Sequence, residues 1–440
     1  MKRIKISFII LIFYTFILNI NAEENRKNSL SGKIKKHIIE AVKVEENGIE
    51  YFRFLENSQK PKIVLTTKDT VIIHLKNNIN KSFSLYLQGQ PSSSVIVKKG
   101  RFPLQPFQTI ELQIVPTQVG ISWFHPEYEN DISLDKGLYF PIIVDDKNRK
   151  ITFNQHEIIF LDDLFLDKSN KIISEINTHR DSLNRAKNIY QINFKQGINI
   201  ESKKNSILRL SLINSSRSRV FVFAIEDHNL MVIGYGMGYL SKPFEQDKVL
   251  ISPAGGIDIL VKLDGEKEDY KIINYHFAQE DIIGVLSYKG VSDNKTFNYE
   301  KIKETQLNQR FKNLKGKKPS KIFELAIDIK KYDKKLLWSY KGKDKNQKNF
   351  QVKKGELYHL RIRNKSPVIF PIYLRDKTFS IVFRSEFPKY KNVGNRESFL
   401  LMPWEIALLA FYAKSDGDWM SKTSTTQYYN ISFADIIEIK

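Results

Sequence analysis

Metal chemistry in a protein is built from imidazole, thiolate and carboxylate. This sequence offers eight histidines and no cysteine. With no thiol, disulfides, cysteine-zinc sites, iron–sulfur clusters, thiol catalysis and thiolate-bound copper are all excluded. His37, His156, His179 and His276 show no ligand spacing, and His74, His228 and His359 fall in strand or strand-end patterns that read as packed or surface positions. The five methionines are scattered and form no methionine-rich copper loop. Asp162-Asp163 has the look of paired acids, but it resembles an acidic turn that follows a strand and is read as structural. No Gly-x-Ser-x-Gly, His-Glu-x-x-His or phosphate-cradling glycine loop occurs.

The elements around these residues read as strands. Lys62–Leu65, Val71–Leu75, Thr109–Val115, Tyr139–Val144, Glu157–Leu161, Ile207–Ile213, Val220–Ile225, Asp258–Leu263, Leu357–Ile362 and Ser398–Ala413 are β-branched or aromatic runs bounded by turn residues. Many short strands at near-regular spacing predict β-sandwiches. One weak helical pattern covers Ser174–Ala186.

The organisation expected from composition is a signal peptide over 1–22, sandwich domains over 23–150, 151–300 and 321–440, and a basic linker over 301–320. Lys2, Arg3 and Lys5 precede an apolar run from Ile6 to Ile20, and Ala22 offers a small residue before charged Glu23. That pattern predicts a cleaved secretory signal, since the run is shorter than the ~20 residues a spanning helix needs. The polar stretch 145–150 and the lysine-rich stretch 301–320 mark the two internal boundaries.

The 440 residues carry 70 Lys and Arg against 49 Asp and Glu, a formal charge of +21. Residues 301–350 hold 16 basic and 5 acidic side chains, so about half of the excess is concentrated there. Such a run is ordinarily a solvated linker, and its sharper reading is contact with anionic lipid or cell-wall polymer. Nothing in the chain points to nucleic acid.

Several motifs, in order, resemble a known family. Gly120-Ile-Ser-Trp-Phe-His-Pro-Glu-Tyr128 followed by Gly137-Leu-Tyr-Phe-Pro-Ile-Ile-Val144 resembles the end of the first domain of multicopper oxidases. Asp69–Asn77 resembles an early strand of that domain. Leu208–Arg217, His228, Tyr235–Gly238 and Ser252–Val261 follow the second domain, and Phe350–Asn364, Phe370–Asp376 and Asp418-Trp419 follow the third. The resemblance covers nearly the whole chain after the signal. It implies an all-β fold of three cupredoxin-like Greek-key β-sandwich domains in tandem.

The same resemblance implies a type 1 copper held by two histidines and a thiolate, and a trinuclear cluster held by paired histidines. Matched to those motifs, the positions here are Tyr86 and Gln88, His125 and Glu127, then Phe370, Tyr373 and Arg375. The last set falls near Lys422, Thr423, Ser424, Tyr428 and Phe433. One imidazole, His125, survives. Tyr, Phe, Lys and Arg do not replace imidazole as copper ligands. The expectation is therefore a protein without cofactor, metal site or catalytic residues. It matches the copper-free branch of the family, whose periplasmic members are implied to stabilise the cell-division machinery. The expected partners are envelope or division proteins, with anionic lipid or wall polymer at 301–350. The competing expectations are a diverged oxidase or copper binder using His125, and a basic envelope-binding module. Aromatic rings are expected to fill the vacated centre, with Glu127 pairing Arg375 or Lys422.

Overall fold

A computed structural model describes residues 32–127, 132–146, 151–173, 189–216, 219–236, 238–276, 279–292, 317–332, 335–342, 351–367, 369–373, 379–386, 396, 398–413 and 417–418. The expected signal peptide, the helical pattern at Ser174–Ala186 and most of the linker at 301–320 lie outside the described residues.

The same trio of strands recurs three times. Ile34–Glu46 runs parallel to Thr70–Asn77, which pairs antiparallel with Thr109–Ile114. Gln155–Leu164, Ser206–Asn214 and Gly256–Leu263 repeat the arrangement, and so do Lys321–Tyr332, Leu357–Asn364 and Ile406–Tyr412. The parallel neighbours require a crossover between sheets, as in a Greek key. In the first sandwich the facing sheet is Ile63–Thr66, Phe140–Asp145, Gly120–Pro126 and Leu85–Gln88. In the second, a six-stranded sheet faces a five-stranded one, and in the third the pair Phe370–Tyr373 with Ser398–Leu401 lies against the five-stranded sheet. Each sandwich encloses its own apolar cluster, centred on Leu75 and Phe140, on Leu210 and Phe223, and on Leu360 and Phe370.

Each central strand ends in a buried asparagine tied to a proline turn. Asn77, Asn214 and Asn364 are buried, and their amides donate to the carbonyls of Leu104 (3.1 Å), Ile251 (3.0 Å) and Met402 (2.8 Å). Their side-chain oxygens accept from the amide two residues on, in Ile79, Ser216 and Ser366. The turns are Gln105-Pro-Phe-Gln108, Ser252-Pro-Ala-Gly255 and Met402-Pro-Trp-Glu405, each closed by a bond from the fourth residue to the first. Proline second and a positive φ third is the pattern of a type II turn, here with Phe107 (62°), Ala254 (56°) and Trp404 (61°) at the third place. This turn splits the expected single run Ser398–Ala413 into Ser398–Leu401 and Ile406–Tyr412. Pro403 has no amide hydrogen to continue a ladder, so the chain reverses there.

The central strand Ser206–Asn214 is buried along its whole length. Leu208, Leu210 and Leu212 fill the second core, while Ile207 and Ile213 turn toward the first sandwich. Gly120 sits where the two approach, at φ 118°, and a Cβ there would lie 2.1 Å from the Gly236 carbonyl oxygen. Part of the basic window is sheet rather than linker, because Lys321–Tyr332 and Lys335–Gly342 pair as a hairpin. Residues 301–316, 333–334 and 343–350 of that window lie outside the described residues.

Candidate functional site

The site the sequence singles out is built on two paired strands of the first sandwich. Leu85–Gln88 runs antiparallel to Gly120–Pro126, with Tyr86 opposite His125 and Gln88 opposite Trp123. Cross-strand partners share a face, so the Tyr86 and His125 rings meet edge-on with centroids 5.5 Å apart. Trp123 lies beneath the imidazole at 4.5 Å.

Gln88 decides what His125 can do. Its amide nitrogen donates to the Ala254 carbonyl of the second sandwich, so its oxygen faces the imidazole. That oxygen is 3.2 Å from His125 Nε2, and the Pro126 carbonyl oxygen is 2.8 Å from Nδ1. Both ring nitrogens therefore face protein oxygens, and in the neutral imidazole one of them donates its N–H while the other keeps its lone pair. A metal ligand needs a bare nitrogen lone pair, and here a protein oxygen already sits within 3.2 Å of each ring nitrogen. The backbone amide of Glu127 donates to the Ser84 carbonyl at 2.8 Å, which fixes the strand end. In the third sandwich, Phe370 is buried in the core and pairs with Leu401. The backbone of Tyr373 pairs with Ser398. The side chain of Tyr373, with Arg375, Trp419, Lys422 and the rest of the last motif, lies outside the described residues, and so does the expected Glu127 pairing. Among the described residues, no three His, Asp or Glu side chains group as a metal site.

Asp162-Asp163 is not a turn. Both residues lie inside the strand Gln155–Leu164 and are buried. Tyr139 of the first sandwich donates to Asp162 at 2.8 Å, and Arg219 Nε is 3.5 Å from Asp163. Burial first, then the adjacent Asp163, pushes the Asp162 carboxyl up to about 8. The pair ties its strand to Tyr139, just before Phe140–Asp145, and to Arg219, just before Phe221–Ile225, so the expected acidic turn is a buried stretch of strand. His156 contacts Ser211 Oγ at 2.9 Å, and burial, then Arg209 and Lys62, pull it down to about 3. His228 bonds Tyr288 at 2.6 Å and packs edge-on against Tyr270, and His359 is buried in its strand. His37 and His74 lie within 4 Å of Glu56 and Glu111 respectively.

One constellation escapes the sequence. Arg209 is buried and forks onto Asp258 at 3.0 and 2.6 Å, while its third nitrogen reaches Asp145 at 2.8 Å. Tyr239 also donates to Asp145, at 3.0 Å. Asp145 ends the last strand of the first sandwich, so it ties that sandwich to the second rather than only opening a linker. The available signal was one arginine and one aspartate, each alone in an apolar strand.

Two profiles described as multicopper oxidase match the chain, over residues 50–149 and 157–291, together more than half of it. The chain belongs to the multicopper oxidase family. Laccase-20 of Oryza sativa subsp. japonica is 24% identical over 242 residues, 50% of this chain and 41% of that protein. Laccase-1 of Cryptococcus neoformans var. grubii is 26% identical over 128 residues, 27% of this chain and 20% of that protein. The match thus spans less than half the length of these curated relatives. Among solved structures, a multicopper oxidase from Pseudomonas thermotolerans superposes with a TM-score of 0.67 at 13% identity, covering 88% of this chain and 94% of that one. McoA multicopper oxidase from Aquifex aeolicus gives 0.68 at 16% identity, covering 87% and 90%. The fold is therefore the multicopper oxidase arrangement of cupredoxin-like sandwiches. The family's copper centres do not fit the residues here. A type 1 centre requires a thiolate and the sequence has none, and the one imidazole at the trinuclear position has a protein oxygen beside each ring nitrogen.

Proposed function

We propose that this chain is a non-catalytic, copper-free multicopper oxidase-fold protein. In this reading it is exported to the periplasm and acts as a scaffold that stabilises the cell-division machinery, resembling the periplasmic protein FtsP (SufI). The observation that carries the copper-free part is the Gln88–His125 bond, with Gln88 itself anchored on Ala254. A ligand position has become a hydrogen-bonded joint between sandwiches. An oxidase of this family passes electrons from a thiolate-bound copper, and no residue of this chain supplies that route. The export step rests on the amino-terminal pattern, and the division role rests on the family branch alone, since fold does not give function.

The test is made on the full chain cross-linked in its native envelope and then purified. Copper content, oxidation of a phenolic substrate, and cross-linked partners by mass spectrometry are measured on one preparation. Copper-free, inactive protein carrying septal or wall-synthesis proteins is the expected result. One or more coppers per chain, or substrate oxidation, would overturn the reading. A second reading, an envelope-binding module for anionic lipid or wall polymer, draws support from the basic hairpin Lys321–Gly342, and predicts binding that weakens steeply with salt.

A further inference from the structure

A cluster of cations gathers where the first two sandwiches meet. Phe194 follows the strand Ile189–Ile192 in a tight turn, with Asn193 at φ 50° and Phe194 at φ 68°. Bulky residues rarely hold this left-handed conformation without compensation. Here Asn193 is locked by bonds to the backbone of Phe160 (2.9 Å) and Ile158 (3.4 Å). Phe194 stacks on Tyr139 with centroids 5.0 Å apart. Two cations of the first sandwich lie over the Phe194 ring: Arg53 at 4.9 Å and Lys60 at 4.6 Å from its centroid. Lys60 also donates to the Asn193 carbonyl, so its ammonium is positioned rather than free to sweep solvent.

The ammonium opens onto a concavity of about 560 Å³ lined by Lys60, Lys195, Asn193, Gly197, Ile198 and Asn199. The charges facing Lys60 are Arg53, Lys195 and Glu46. Glu46 is already held by both terminal nitrogens of Arg53, at 2.5 and 2.6 Å. Three cations against one committed carboxylate leave a net positive field in the concavity. Desolvation at the concavity first, then the charges of Arg53 and Lys195, pulls Lys60 down to about 8, although the residue as a whole is exposed. An anion seated between the ammonium groups would offset that repulsion.

We propose that Lys60 and Lys195, backed by Arg53 and the turn at Asn193-Phe194, form a binding site for a phosphate monoester or diester group. Two lysines and Asn199 among the lining residues suit an oxyanion with several acceptor oxygens. The concavity is much larger than one phosphate, so an organic substituent is accommodated. The chemistry is shared by a lipid headgroup and a soluble phosphorylated molecule. Because the turn belongs to the second sandwich and Lys60 to the first, an occupied site also clasps the two together. None of this depends on the copper-free reading.

The test follows the lysine ε-methylene resonances of the full chain by NMR during titration with inorganic phosphate. Saturable shifts at Lys60 and Lys195, a rise of the Lys60 titration midpoint, and no saturable shift at Lys98 and Lys99 are expected. The Lys60→Met/Lys195→Met variant should weaken phosphate binding at least tenfold, and Lys98→Met/Lys99→Met, which removes equal charge, should not. Equal weakening in both variants, or no saturable shift, would overturn the site. Vesicles of phosphatidylglycerol and phosphatidylcholine then separate the sources. Capture by phosphatidylglycerol alone, competed by phosphate and lost in the Lys60/Lys195 variant, supports a headgroup. Phosphate binding without vesicle capture supports a soluble phosphorylated ligand.

Discussion

Arg209 Nη2 lies 2.6 Å from Asp258 Oδ2, and neither side chain reaches solvent. Two charges taken from water are expensive, and their attraction repays that cost only when geometry and further hydrogen bonds are good. Here Asp258 also accepts from Ser211 at 3.1 Å, and Arg209 reaches on to Asp145. The pair therefore does two jobs, closing the second sandwich and fastening the first one to it.

Removing one partner strands the other. Arg209→Met leaves Asp258 buried without its fork, and Asp258→Asn leaves the guanidinium half paired. Each should cost about 3–5 kcal/mol, and the double variant Arg209→Met/Asp258→Asn should cost clearly less than the two singles added. Hydrogen exchange of the Ser206–Asn214 amides reads the loss locally, which suits a chain of three sandwiches better than one global transition. Full additivity would mean that the two side chains do not work as a pair.

The three asparagines make a parallel prediction. Asn77→Ala, Asn214→Ala and Asn364→Ala each remove a donor to the carbonyl of Leu104, Ile251 or Met402 and take the side-chain acceptor from the amide of Ile79, Ser216 or Ser366, at roughly 1–3 kcal/mol for a group left unsatisfied. Substitution by Asp keeps the acceptor but turns a carboxylate toward the carbonyls of Leu104, Ile251 or Met402, so it should not rescue. Faster exchange at the amides of Gln108, Gly255 and Glu405, each in its own variant only, is the expected signature. These are the amides that close the three proline turns.

Much of the fold was legible because it is local. Alternation in Thr109–Ile114 and the apolar run Ile207–Ile213 announced strands, and they are strands. Ser398–Ala413 read as one run because Met402, Pro403 and Trp404 are apolar, although Pro403 carried the signal for the break. Asp162-Asp163 read as a turn because charges seldom sit inside a buried strand. What reverses that reading is Tyr139 on another sandwich and Arg219 in the connection before Phe221–Ile225, and no local pattern reports either. The same holds at the candidate site. The sequence shows that the histidines and the thiol are missing. That the Nε2 side of the remaining imidazole meets a protein oxygen follows from Gln88, whose amide is oriented by Ala254, more than 160 residues away.

Asp162 sets the last prediction, on pH. Its carboxyl is lifted from 3.8 to about 8 in the folded chain, by burial first and Asp163 next, with Asp135 adding to the effect. Folding then holds this proton more tightly than the unfolded chain does. The stability it contributes is full below about pH 4, declines as pH rises toward 8, and does not return above it. His156 acts in the opposite sense. It is lowered from 6.5 to about 3, so its contribution is present above pH 6.5 and is lost as pH falls toward 3. Asp162→Asn keeps a neutral group of the same shape, and its amide can donate to the Tyr139 hydroxyl, which then accepts. Thermal melts from pH 4 to 9 should show the variant close to the parent at the acid end and increasingly more stable toward pH 8. A variant that melts below the parent at pH 8 would show that the carboxylate is held ionised, with Arg219 offsetting its charge through Asp163.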